Sequence, residues 1–166
     1  LTAMSAIISE EKETNTLRVL MMADVKPWEY LLGIGVYVWT ICMVGASVMS
    51  VGFTGKDIVT YLCFMGIGFA ISIIAGACVG IFAKNQMSAT SIAMPVMMIF
   101  AFAPMLSMFN ATVSKTAKIF YTQQLKLCLD AMSFEGIAKE TYVIIIINAI
   151  ILCTVFVVTY KRKGLE

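Results

Sequence analysis

Charged residues are missing from four long stretches of this 166-residue chain. No Asp, Glu, Lys or Arg occurs in residues 30–55, 58–83, 85–114 or 141–160. Each stretch reaches the ~20 residues that an α-helix needs to cross a ~30 Å hydrocarbon core. A Lys or Asp at the centre of such a helix costs roughly 2.5–3.5 kcal/mol on insertion scales, which gives clean gaps of this length a physical cause. Hydrophobic residues make up 60% of the chain and charged residues 13%, about half the ~25% charged share of a soluble domain. A water-soluble domain of this size cannot hide so much apolar surface. The expected fold is all-α: a polytopic transmembrane helix bundle in a lipid bilayer.

Several chemistries drop out at once. The chain has no histidine, which removes Ser-His-Asp and Cys-His nucleophile systems and imidazole metal sites. Cys42, Cys63, Cys78, Cys128 and Cys153 form no Cys-x-x-Cys pair, and they read as packing residues. The net charge of +2 comes from scattered basic residues without an aromatic-basic stripe, so nothing points to nucleic acid. The thirteen methionines include Met94-x-x-Met97 and Met105-x-x-Met108. Such thioethers suit copper(I), but without a Cys or His partner they read as adaptable filling between helices.

Along the chain, Leu1–Ile8 reads as the end of an earlier membrane helix, and 9–29 as a charged segment with Leu17, Leu20, Met21 and Val25 on one helical face. Pro27, Trp28 and Tyr30 mark an interfacial entry into a first span over 31–52. Phe53–Asp57 is a tight turn; its Gly52–Lys56 spacing is wrong for a phosphate loop. The second span, 58–82, carries Gly68, Ser72, Gly76 and Gly80 at four-residue spacing, a face that admits close helix packing. After a polar loop at 83–90, the third span covers 91–110, with Pro95 expected in its first turn and Pro104 as a mid-helix kink. Residues 111–140 form an external connection, amphipathic or re-entrant, with Tyr121, Leu125, Cys128, Leu129 and Met132 on one side. The last span, 141–160, holds Asn148 as its one strongly polar side chain, read as an interhelical hydrogen bond. The span abuts Lys161-Arg162-Lys163, a basic triplet that favours placing 9–29 in the cytoplasm.

The most informative segment is 10–33, EEKETNTLRVLMMADVKPWEYLLG. Physically it is an acidic group (Glu10, Glu11, Glu13), a short amphipathic helix, and an anchor leading into a span. It reads either as a helix lying on the membrane surface or as a docking element for a soluble partner.

Glu11-Lys12-Glu13, Thr16-Leu17, Leu20, Pro27 and Leu31-Leu32-Gly33 occur here in an order that resembles the segment between the second and third spans of type-2 ATP-binding-cassette (ABC) exporter permeases. The resemblance covers nearly the whole chain, as the C-terminal two thirds of a six-span permease. Pro27 lies slightly later than that pattern leads one to expect. The resemblance implies a non-enzymatic transport subunit in which 9–29 is a cytoplasmic coupling helix. Glu10, Glu11, Lys12, Glu13, Thr16, Leu17, Arg18 and Leu20 would then meet a cytoplasmic ABC ATPase. No cofactor would bind to this chain; ATP and magnesium would sit on the partner. A second permease half, identical or not, would complete the pathway in a bacterial plasma membrane. Two other functions stay open on the residues alone: an anchoring protein pairing through Gly68–Gly80, and an ATP-independent channel or metal transporter using the Met-rich third span.

Overall fold

The computed structural model describes the chain except residues 54, 110, 132–136 and 164–166 and the side chains of 21, 111–113, 161 and 163. The described residues form eight α-helices and one 3-10 turn, and no strand. The helices are α1 (Thr2–Glu13), α2 (Thr16–Met22), α3 (Pro27–Met49), α4 (Lys56–Phe82), α5 (Gln86–Leu106), α6 (Ala111–Ala117), α7 (Tyr121–Ala131) and α8 (Lys139–Lys163). Four segments are long and apolar enough to cross a membrane: Pro27–Gly52, Lys56–Phe82, Gln86–Leu106 and Lys139–Tyr160. The fold is therefore an all-α polytopic bundle. We call the end that carries α2 the elbow end and the other the far end.

Helix α4 is the hub. Half of its apolar window is buried, against 11–17% in the other three spans, and α1, α3, α5, α7 and α8 all pack on it. The cause lies in its small residues. A Cβ added to Gly80 would stand 2.9 Å from Ile8 Cβ and 2.9 Å from Ser5 O, and one added to Gly76 would meet the Leu1 backbone. At Gly68 it would stand 2.8 Å from Leu125 Cδ1. Ser72, between them, lies 2.8 Å from the Tyr121 hydroxyl. The ladder thus seats α1 on its elbow half and α7 on its far half. On the next flank, Trp39 Nε1 donates to Gly66 O at 2.9 Å, tying α3 to α4 where Gly66 leaves room for the indole.

Two apolar clusters follow from this arrangement. The elbow cluster joins Met4, Ile8, Leu17, Tyr30, Ile81, Phe156 and Tyr160 with Val38, Ile73, Ala77 and Cys78. The far cluster joins Phe64, Ile71, Tyr121, Leu125, Cys128 and Ile145. All five cysteines are free thiols.

The third span differs from the reading of the sequence. Asn85 Oδ1 accepts from Ser88 N at 2.8 Å, an N-cap that starts α5 at Gln86. The polar loop shrinks to residues 83–85. Pro95 consequently lies in the helix interior, not the first turn, and Pro104 lies in the last turn, not mid-helix. The capping side chain set the helix start earlier than hydropathy alone suggested.

Residues 111–131 form a hairpin that enters the membrane from the far end. Tyr121 reaches Ser72 and Leu125 reaches Gly68, and Gly68 stands next to the midpoint of α4. Asn148, next to the midpoint of the last span, donates to Ile119 O at 2.9 Å. The turn between α6 and α7 is therefore at mid-depth, where lipid offers no hydrogen bonds to irregular backbone. Side chains supply them instead. Gln124 Nε2 donates to Lys118 O and Asn148 Nδ2 to Ile119 O. Ser107 Oγ lies 2.9 Å from Gln123 Oε1 and fastens the hairpin to the end of α5. Phe100 packs on Phe120 and Tyr121 at 5.8 and 5.3 Å.

Candidate functional site

The segment 9–29 is two helices and two corners instead of one helix. Helix α1 runs through Glu13 and stops where Thr14 folds back, its Oγ1 donating to Glu10 O at 3.0 Å. Asn15 takes φ 61° and Asp24 φ 59°, turning the chain before and after α2. Asn and Asp tolerate this left-handed conformation better than other side chains that have a Cβ. Glu29 Oε2 then accepts from Lys26 N at 3.1 Å, and Pro27 opens α3 at a position where a missing N–H costs nothing.

The acidic group does not float in solvent as a unit. Glu11 Oε2 accepts from the Tyr30 hydroxyl at 2.6 Å, joining α1 to the base of α3. Lys12 Nζ donates to Ile81 O at 3.3 Å, in the last turn of α4. Glu13 Oε2 accepts from Gln86 N at 3.2 Å, at the first turn of α5. A cation thus sits at one helix C-terminus and an anion at the neighbouring N-terminus, each matching the dipole it faces, for about 0.3–1 kcal/mol apiece. Three consecutive residues bolt α1 to three spans.

Helix α2 hangs from this frame. Leu17 is fully buried in the elbow cluster, with Leu20 and Val25 half-buried against it. The Met21 side chain is outside the described residues. Thr16, Arg18, Val19 and Met22 are exposed, as are Glu10 and Glu13. The residues expected at a coupling site therefore divide into two sets. Glu11, Lys12, Leu17 and Leu20 face the bundle, whereas Glu10, Thr16 and Arg18 face away, with Glu13 exposed but bonded to α5.

Sequence reasoning missed the receiving groups. Tyr30 read as an interfacial aromatic; it is the partner of Glu11 and packs on Tyr160 at 5.6 Å. The Tyr160 hydroxyl is buried and unbonded beside this pair. Gln86 and Ile81 contribute backbone atoms, which no side-chain pattern reveals. Gln123 and Gln124, also missed, are a polar pair inside an otherwise apolar-facing helix, and that mismatch is the signal that could have found them. Asn148 bonds not another helix but the turn between α6 and α7, at Ile119 O, and makes a second bond to Ile144 O of its own helix. Met94, Met97, Met105 and Met108 are all exposed.

The arrangement ties α1 to the ends of three spans, with α2 beside it. Among the described residues no three or more His, Cys, Asp or Glu side chains gather as a metal site. What the geometry offers is a short helix, α2, whose Leu17 and Leu20 pack on the bundle beside the tethered α1, with Arg18 and Val19 exposed on its outer face. A family model described as ABC-2 family transporter protein matches residues 1–160. No curated protein and no solved structure matches. Four membrane-crossing helices, an elbow helix joined to them and a match across almost the entire chain agree: the protein belongs to the ABC-2 transporter family, as a multi-pass membrane transport subunit.

Proposed function

We propose that this chain is the permease of an ATP-driven exporter and that α2 is the element through which a cytoplasmic ATPase moves it. The observation that carries the reading is the triple attachment of α1 beside α2: Glu11 to Tyr30, Lys12 to Ile81 O and Glu13 to Gln86 N. A push on α2 reaches α1 through Leu17 and the corner at Asn15, and from α1 reaches three spans together. A helix merely resting on a membrane surface needs no such bracing.

The remaining parts follow from that mechanism. The elbow lies in the cytoplasm, in agreement with the basic triplet that ends α8. ATP and magnesium are held by the separate ATPase, and their binding closes a dimer that presses on Arg18, Val19 and Met22. A second permease half, the same chain or a relative, faces this one. Rigid-body rearrangement of the halves opens the path outward across a bacterial plasma membrane.

Arg18 and Val19 provide the test, because both are exposed and neither belongs to the core. In the full transporter, Arg18→Glu and Val19→Asp should leave the permease folded while abolishing both its capture of the ATPase and transport. Transport at wild-type rates by both variants would exclude α2 as the coupling element. The Gly68–Gly80 face gives no support to the anchoring alternative, since α1 and α7 already occupy it.

A further inference from the structure

The corner between α2 and α3 opens onto a groove that runs along α8. Helices α3 and α8 both pack on α4 but only lightly on each other. Tyr160 packs on Tyr30 at 5.6 Å and on Phe156 at 5.8 Å, an aromatic floor at the elbow end. Two cavities of about 420 Å³ each adjoin it. One is walled by Asp24, Lys26, Trp28, Val157 and Tyr160; the other by Trp28, Val157 and the α8 residues back to Ala149. Trp28 and Val157 belong to both walls, so the two cavities form one groove.

The groove is polar at one end and apolar along the rest. Asp24 and Lys26 are exposed at its mouth, on a corner fixed by Val25 N bonding Leu20 O and Lys26 N bonding Glu29 Oε2. Trp28, 53% exposed, marks the membrane interface between the two ends. Beyond it the wall is Ala149, Ile150, Cys153 and Val158, and the Thr154 hydroxyl is turned onto Ile150 O of its own helix at 2.8 Å. From Tyr160 to Ala149 this wall rises about 16 Å at ~1.5 Å per residue. That is the depth of one leaflet, half of a ~30 Å hydrocarbon core. A helix crossing the whole bilayer would need a groove twice as long, and would leave two opposite charges at its edge unused.

We infer that this groove holds a phospholipid of the elbow-side leaflet with a zwitterionic, primary-amine headgroup. Lys26 meets the phosphate, Asp24 meets the ammonium, Trp28 covers the glycerol region and one acyl chain lies along α8. The pair of charges selects the headgroup. An anionic phospholipid would satisfy Lys26 and be repelled by Asp24. A choline headgroup carries no N–H for the carboxylate, whereas a primary ammonium offers three. The assignment needs only a bilayer around the chain, and stands whether or not α2 receives the ATPase.

Native mass spectrometry of the full-length protein, stripped of lipid in detergent, tests it. Phosphatidylethanolamine, phosphatidylcholine and phosphatidylglycerol are added in equal amounts and the retained adducts compared. Wild type should retain phosphatidylethanolamine at least tenfold over the other two. Asp24→Asn, which keeps the shape and tolerates the same left-handed backbone, should erase that preference. Lys26→Gln should weaken retention of phosphatidylethanolamine at least tenfold, and Ile150→Trp, which fills the apolar part, should do the same. Unchanged thermal unfolding midpoints show that each variant is folded. Equal phosphatidylethanolamine retention by wild type and Asp24→Asn overturns the headgroup assignment, as does a preference for phosphatidylglycerol. Retention of no lipid above the detergent background overturns the site itself, and is the result expected if another protein segment fills the groove.

Discussion

At the scale of single residues, the elbow is held by unusual demands on ordinary side chains. The 2.6 Å bond between Tyr30 and Glu11 joins a phenol to a carboxylate in a half-buried setting. Hydrogen bonds to charged groups contribute about 1.5–3 kcal/mol. Tyr30→Phe should therefore destabilise the purified protein by an amount in that range, read as a lower thermal unfolding midpoint. Tyr160→Phe should act in the other direction. It removes a buried hydroxyl that has no partner, and a gain of about 1 kcal/mol in stability, read as a higher midpoint, is the expected result. Asn15 tests the corner itself. At φ 61°, Asn15→Gly should be nearly neutral, whereas Asn15→Val should cost about 1–2 kcal/mol, since a β-branched side chain resists the left-handed region. An unchanged midpoint in the Val variant would mean that the corner is not fixed in the folded protein.

At the scale of elements, the glycines of α4 are not equivalent to those of α3. Gly45 has open space where a Cβ would go, while Gly80 has Ile8 and the Ser5 carbonyl at 2.9 Å. Gly45→Ala should be silent or slightly stabilising, because alanine restricts the unfolded chain. Gly80→Ala should destabilise by about 1–3 kcal/mol, the usual cost of overpacking, and should loosen α1. The hairpin has its own probe. Cys128 is fully buried, so an alkylating reagent reaches it only when the hairpin is displaced. Asn148→Ala takes the hook from Ile119 O, and N-ethylmaleimide should then alkylate Cys128 at least tenfold faster. An unchanged rate would place the hairpin's anchorage elsewhere.

The elements also show what a sequence can and cannot tell. Runs without charge revealed the four spans because the cost of a charge in lipid is paid locally, residue by residue. The four-residue spacing of Gly68, Ser72, Gly76 and Gly80 revealed a packing face, since a helix repeats its surface at that interval. What occupies the face was not legible: α1 and α7 arrive from distant parts of the chain. The start of α5 was misplaced because one side chain, Asn85, outweighed the hydropathy trend. The partners of Lys12 and Glu13 are backbone atoms of residues 81 and 86, which only the folded chain brings near. Leu17 could be picked out as a core position from its helical spacing, whereas Tyr30 as the acceptor's mate could not.

At the scale of the molecule, the bundle has a stiff end and an open side. The elbow cluster and its three polar bolts tie α1 to α3, α4 and α5 at that end. The other spans keep most of their apolar surface uncovered, with 11–17% of it buried, which leaves room for lipid and for a second subunit. Cutting a bolt should therefore weaken transmission more than assembly. Glu13→Gln combined with Lys12→Met should preserve capture of the ATPase but lower the transport obtained per ATP hydrolysed, measured with the complete transporter in proteoliposomes. Unaltered transport per ATP would show that the bolts are dispensable for coupling.

The hook between Asn148 and Ile119 also orders events in time. The donor belongs to the last span and the acceptor to a turn made almost thirty residues earlier. During synthesis the hairpin is complete well before α8 has left the ribosome, and until then one carbonyl of its tip lacks its native donor. Water can serve that carbonyl at the membrane surface but not at mid-depth, so the hairpin is expected to stay outside until α8 draws it in. A nascent chain halted before residue 139 should accordingly leave Cys128 open to alkylation. A helix made after the hairpin thus supplies the bond that completes the hairpin's tip.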